Sequence, residues 1–250
     1  MFELTNKKAI VTGAGSGLGR GMAEGLHRAG AEVVIIDVNE HAAAAAEELG
    51  REGAAVHFVK GNLMDREERQ RAFREAVGLL GGRLDILINN AGMHDRRSCI
   101  DLPVEGWDKV IELNITTVFH LCKLAGELMI PQGSGKIINM ASMLSFIGGY
   151  NATAYAVSKG GVAQLTKSLS NEWAMKGIQV NAIAPGYMGT NMNTDLLHDE
   201  VRLPQITSRI PAGRWGTPED LAGIAVFLSS EEASYITGAV IPVDGGYLAR

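Results

Sequence analysis

Short apolar runs alternate with longer stretches of helical period along nearly the whole chain. Residues 9–12, 32–36, 56–60, 84–89, 135–141, 178–184 and 239–243 are brief runs rich in Val, Ile and Ala, bounded by glycine or polar residues, and they read as strands. Between them, 18–29, 41–51, 66–80, 107–130, 153–175 and 219–228 carry apolar residues at helical spacing. Strands that are apolar throughout, alternating with helices of this length, predict βαβ units and a parallel sheet covered on both faces. The expected fold class is α/β, a doubly wound (Rossmann) sheet in one domain spanning 1–250. One stretch breaks the alternation. Residues 186–211 contain no strand, and such a long connection predicts a mobile flap over a site.

Composition narrows the function. The net charge of -5 argues against a nucleic-acid partner, which wants a basic face. No apolar run approaches the ~18 residues of a membrane span, and residues 1–10 lack the apolar core of a signal peptide, so a cytoplasmic protein is expected. Cys99 and Cys122 match no metal spacing and the six histidines are scattered, so no metal is expected.

Chemistry enters at the first strand–helix junction. Thr12-Gly13-Ala14-Gly15-Ser16-Gly17-Leu18-Gly19 follows a strand and opens a helix. Glycines there let the backbone approach a pyrophosphate, and the helix N-terminus presents N–H groups to it. Gly13, Ser16, Gly17, Leu18 and Gly19 are therefore expected at a dinucleotide. Asp37 ends the second strand, where a carboxylate accepts hydrogen bonds from ribose hydroxyls and repels a 2′-phosphate. Val38 follows it, so no cation waits for that phosphate and NAD is favoured over NADP. The alternative is that Asp37 only caps the next helix. Tyr155 and Lys159 lie four apart on one helix, hence on one face. An ammonium beside a phenol favours its ionised form. Ser142 falls just past the fifth strand, on the edge where open parallel sheets bind ligands. Asn114 sits mid-helix, a poor place for an amide that competes for backbone hydrogen bonds.

Taken with Asn89-Asn90-Ala91-Gly92 and Pro185-Gly186, these motifs resemble the short-chain dehydrogenase/reductase family in order and spacing over essentially the whole chain. The resemblance implies a seven-stranded sheet, with Tyr155 as acid/base, Ser142 orienting the substrate, and Lys159 on the nicotinamide ribose. Asn114 is implied to anchor a proton-relay water. Asn62 and Leu63 are implied near the adenine, with Asn62 standing where many members have Asp. Asn90 is implied beside the cofactor, and Met188 and Thr190 near the nicotinamide carboxamide. It also implies a homotetramer, an expectation strengthened by the apolar breadth of 107–130 and 153–175.

The segments 141–146, 184–188 and 209–216 and the ending Leu248-Ala249-Arg250 resemble the branch of gluconate and 2-dehydro-3-deoxy-D-gluconate 5-dehydrogenases, so the expected substrate is a sugar acid. Its carboxylate needs a cation, and Arg96 and Arg97, shortly after the fourth strand, are the candidates, with Arg214 behind them. Rival readings are a 3-oxoacyl-carrier-protein reductase, disfavoured by Asp37, and a silent NAD-binding protein, which should have lost one of Asn114, Ser142, Tyr155 or Lys159. A metal-dependent alcohol dehydrogenase lacks its ligand set.

Overall fold

The computed structural model describes residues 2–250. Seven strands, β1 (Lys8–Thr12), β2 (Glu32–Asp37), β3 (Val56–Lys60), β4 (Ile86–Asn89), β5 (Gly135–Met140), β6 (Ile178–Pro185) and β7 (Val240–Val243), form one sheet. Their order is β3-β2-β1-β4-β5-β6-β7, and every pairing is parallel. Chain order reverses between β1 and β4. The crevice at that switch point, beyond the carboxyl ends of the strands, is where such sheets take ligands.

Alternation along the strands divides the core. Val11, Val33, Ile35, Ile86 and Ile88 face one layer, where they meet Met22 and Leu26 of α1 (Gly17–Arg28) and Leu221 and Leu228 of α9 (Glu219–Ser229). Ile10, Val34, Ile36 and Leu87 face the other. They pack on Phe73 of α3 (Arg66–Leu79), Leu121 and Ala125 of α5 (Thr117–Gln132), and Leu169 and Trp173 of α6 (Thr153–Trp173). A strand buried on both faces has no polar side, which is why these strands read as unbroken apolar runs. The helix α2 (Ala42–Leu49) packs chiefly against β3, with smaller contacts to β2 and α1.

The expected helix over 107–130 starts earlier and is interrupted. It consists of α4 (Val104–Ile111), a π-helical turn over Glu112–Thr116, and α5, whose last turn accommodates Pro131. A π turn shifts the register of the helix but leaves its apolar content unchanged, so the sequence does not betray it. Asn114 lies in that turn, and π turns recur at functional sites. The 186–211 stretch holds no strand, as expected, but it does hold helical turns. These are a 3₁₀ turn at Asn191–Asn193, α7 (Thr194–Leu197) and α8 (Arg202–Thr207). They are too short to carry a helical period.

Burial makes a clean test of this layering. Ile10→Ala, at a position with no exposure, should cost about 2–5 kcal/mol in urea unfolding. Ile100→Ala, at 94% exposure, should change stability by less than about 0.5 kcal/mol.

Candidate active site

One cavity of about 890 Å³ opens at the switch point and runs from the glycine turn and Asp37 to Ser142, Tyr155 and Lys159. The glycine turn has the shape its residues allow. Gly13 and Gly17 adopt φ of +62° and +56°, in the left-handed region that side chains resist. A Cβ on Gly19 would stand 2.4 Å from both the Asn90 amide nitrogen and the Gly13 carbonyl. Asn90 holds the turn from the other side: its Nδ2 donates to the Thr12 and Gly13 carbonyls, both at 2.9 Å. Its side chain is thus committed to the turn while the residue still lines the cavity.

Asp37 also lines the cavity, with Oδ2 accepting from Gly15 N (3.0 Å) and Oδ1 from Asn39 N (2.9 Å). Each oxygen keeps a lone pair, so the carboxylate can serve a ribose while bracing the loop. Ser16, Gly17, Leu18, Asn62 and Leu63 form the rest of this end. Asn62 Oδ1 accepts from Met64 N (3.1 Å), and the Leu63 carbonyl accepts from Thr117 Oγ1 (2.8 Å). This half fits a dinucleotide. Backbone approaches closely where glycine removes Cβ, a carboxylate ends β2, and an open helix N-terminus faces the turn.

At the other end, Ser142 caps a 3₁₀ turn, and Ser145 Oγ bonds the Lys159 carbonyl (2.7 Å), tying the serine loop to α6. Lys159 is buried, with Nζ 2.5 Å from the Met140 carbonyl and 5.5 Å from the Tyr155 ring centroid. Burial pulls its ammonium down to about 8. Burial also pushes the Tyr155 phenol above its usual value, while the Ser142 hydroxyl and the Arg96 guanidinium pull the other way. Dehydration dominates, and the cation working against it is Arg96.

Asn114 is fully buried behind the cavity. Its Nδ2 donates to the Met93 carbonyl and to Ser158 Oγ, both at 2.9 Å, and its Oδ1 accepts from Met93 N (2.9 Å). Both donors are used within the protein, so only Oδ1 has spare capacity toward Lys159. Gly92 keeps that gap clear, since a Cβ there would lie 3.2 Å from Oδ1 and 3.7 Å from Lys159 Nζ.

The adjacent arginines part company. Arg96 lines the cavity and donates through Nη2 to Asn193 Oδ1, while its Nη1 is enclosed without a partner. Arg97 turns outward and pairs with Asp95 through both of its contacting nitrogens. Arg214 is likewise paired outside, with Asp220 at 2.7 and 2.8 Å. Met188 and Thr190 also line the cavity. Sequence reasoning missed His94, Arg202, Arg209 and Tyr247, all on the cavity wall. The tail reaches it by aromatic packing: Tyr187 lies 5.1 Å from Trp215 and 5.5 Å from Tyr247, centroid to centroid, and Arg209 sits over the Tyr247 ring. No cluster of three His, Cys, Asp or Glu able to hold a metal occurs among the described residues. No helix among them is long and apolar enough to cross a membrane.

A family model described as enoyl-(acyl carrier protein) reductase matches residues 13–248. A 2-dehydro-3-deoxy-D-gluconate 5-dehydrogenase of Escherichia coli is 45% identical, over all of this chain and 98% of that protein. The crystal structure of an enzyme described as an NAD(P)-dependent gluconate 5-dehydrogenase of Beutenbergia cavernae, with bound NADP, is 43% identical. It superimposes with a TM-score of 0.96 over 100% of this chain and 99% of that one. A gluconate 5-dehydrogenase of Burkholderia cenocepacia in complex with NADP and tartrate is 36% identical, with a TM-score of 0.95 over 100% of this chain and 98% of that one.

Proposed function

The chain belongs to the short-chain dehydrogenase/reductase family, and from that premise we propose that it interconverts a hydroxyl and a keto group on a sugar acid of the gluconate or 2-dehydro-3-deoxygluconate type, using NAD(H). The observation that carries this reading is one cavity holding the glycine turn at one end and Tyr155, Ser142, Lys159 and the half-paired Arg96 at the other.

The nicotinamide, when bound, gives or takes the hydride. The protein does the rest. Tyr155 passes the proton to or from the reacting oxygen, and Ser142 holds that oxygen beside the phenol. Lys159 fixes the nicotinamide ribose, and its charge opposes the protonated phenol. Asn114 sets the backbone around them and offers Oδ1 to a relay water. Gly13, Ser16, Gly17, Leu18 and Gly19 form the pyrophosphate cradle, with Asn90 beside it, Asn62 and Leu63 at the adenine, and Met188 and Thr190 at the carboxamide. Arg96, rather than Arg97, meets the substrate carboxylate. Segment 186–211 acts as the flap of a one-domain enzyme, and it carries Leu196, Arg202 and Ile206 onto the cavity.

NAD is preferred because Asp37 occupies the place of a 2′-phosphate and Val38, 61% exposed, offers it no cation. The two relatives holding NADP make this the part most worth measuring. A homotetramer is expected because α5 and α6 each leave a large apolar side chain half exposed, Phe119 and Val157.

Three outcomes check this reading. Tyr155→Phe should lower turnover of gluconate-type substrates with NAD by ~10²–10⁴-fold, the worth of a general acid/base, while calorimetry shows NAD still binding. Near-normal turnover would refute the role. Asp37→Ala should cost NAD roughly 10–100-fold in kcat/KM and narrow its lead over NADP; equal efficiency in the wild type would sink the preference. Light scattering at micromolar concentration should give four times the chain mass, and a monomer would exclude the assembly.

A further inference from the structure

The loop after β4 reaches the flap with two side chains, and both are used in the same incomplete way. His94 places Nε2 2.8 Å from the Met192 carbonyl, in the 3₁₀ turn at Asn191–Asn193. A carbonyl can only accept, so Nε2 carries the hydrogen and Nδ1 is left with a bare lone pair. That Nδ1 is enclosed and has no partner. Arg96, two residues on, donates through Nη2 to Asn193, and its Nη1 is enclosed and unpartnered too. One nitrogen of each side chain thus holds the turn at residues 191–193, and the other nitrogen of each lies enclosed. Asn193 passes the hold inward through its Nδ2, which bonds the Met188 carbonyl at 2.8 Å.

One of the stranded atoms is a donor and the other an acceptor. Enclosed polar atoms are costly unless something supplies the missing bond. Both side chains line the cavity, though neither free nitrogen is open to it, so a substrate there reaches them only as the 191–193 turn gives way. The His94 ring stands edge-on to Tyr155, at 6.4 Å between centroids and 85° between planes, so the imidazole neighbours the phenol. Burial, the largest influence on His94, keeps its imidazole below the usual value, so the ring is neutral at pH 7 and the lone pair stays available.

We propose that His94 is a specificity-determining residue whose Nδ1 accepts a hydrogen bond from the substrate hydroxyl next to the reacting carbon, on its carboxylate side. With the carboxylate on Arg96 Nη1, this contact supplies both missing partners and locks the flap. The inference rests on the sugar-acid reading and deepens it. A hydroxy acid fits because it offers a donor and an acceptor in the order the loop demands. A simple ketone offers neither.

The test compares wild type with His94→Phe, His94→Asn and Arg96→Met on gluconate, on its analogue lacking the hydroxyl beside the reacting carbon, and on the uncharged alditol pair. Phenylalanine keeps the ring and removes both nitrogens. It should lower kcat/KM for gluconate about tenfold or more and leave the deoxy analogue within about twofold. Asparagine puts an amide oxygen where Nδ1 was but cannot reach Met192. It should therefore keep the hydroxyl discrimination while the amides of residues 190–197 exchange hydrogen faster. Arg96→Met should injure the acids and spare the alditols. Equal losses on the hydroxy and deoxy compounds, or no loss on either, overturn the role of His94. A wild type that oxidises alditols but no acid ends the sugar-acid reading alone, because the His94 effect is then read from the alditol pair. A wild type that oxidises neither ends both.

Discussion

The carboxamide of Asn114 makes three hydrogen bonds, two to the backbone of Met93 and one to Ser158, with no exposure to solvent. Those partners belong to the loop after β4 and to α6, and Asn114 itself sits in the π turn between α4 and α5. The loop carries His94 and Arg96, and α6 carries Tyr155 and Lys159. Their mutual placement therefore depends on one amide. In a low-dielectric interior such a bond is strong when made and costly when lost, so the arrangement is held in one geometry. The brace continues behind it. Arg69 of α3, 2% exposed, bonds Glu112 at 3.0 Å and Thr117 at 2.6 Å, on either side of the same turn. Thr117 in turn holds the Leu63 carbonyl. Two sets of polar contacts thus flank the π turn, one reaching the Leu63 carbonyl and the other the Tyr155 backbone carbonyl through Ser158.

That rigidity has an electrostatic consequence. A pocket closed enough to fix Tyr155 and Lys159 is also dehydrated, and dehydration disfavours charge on both. The ammonium drops to about 8 and the phenol rises, so the proton rests on the phenol near neutrality. Chemistry that needs a phenolate must be helped by whatever positive charge the closed cleft gathers. Arg96 is already part of that field. The same guanidinium has one nitrogen on the flap and one unpaired. One side chain thereby joins the turn at residues 191–193 to the electrostatics of the phenol.

The sheet was legible in the sequence because period and composition agree there. All seven strands fall within two residues of the expected bounds, since a strand buried on both faces admits little besides Val, Ile, Leu and Ala. The glycine turn and the Tyr155, Lys159 and Ser142 set were legible because their spacing is fixed by a turn and a helix. What escaped had no period. The π turn shifts the register of a helix without changing its apolar content. The helices α7 and α8, of four and six residues, are shorter than any window that reveals one. Arg96 and Arg97 are chemically identical neighbours in a loop. Only the structure shows that Asp95 draws Arg97 outward and leaves Arg96 to the cavity. His94 carried no signal beyond its residue type, because its meaning lies in the Met192 carbonyl 98 positions away.

Selectivity in such a cleft follows from what a wrong substrate leaves undone. A neutral ketone can reach Tyr155 and Ser142 as well as a sugar acid can. It would leave the Arg96 nitrogen enclosed without an anion, and unpaired buried charge is among the most expensive states in a protein. A site built around polar groups rejects molecules lacking their partners far more strongly than an apolar pocket rejects a missing methylene. Arg202 and Arg209 on the cavity wall add further positive charge to the cleft. On the reading proposed for Arg96, the loop after β4 therefore excludes as much as it binds.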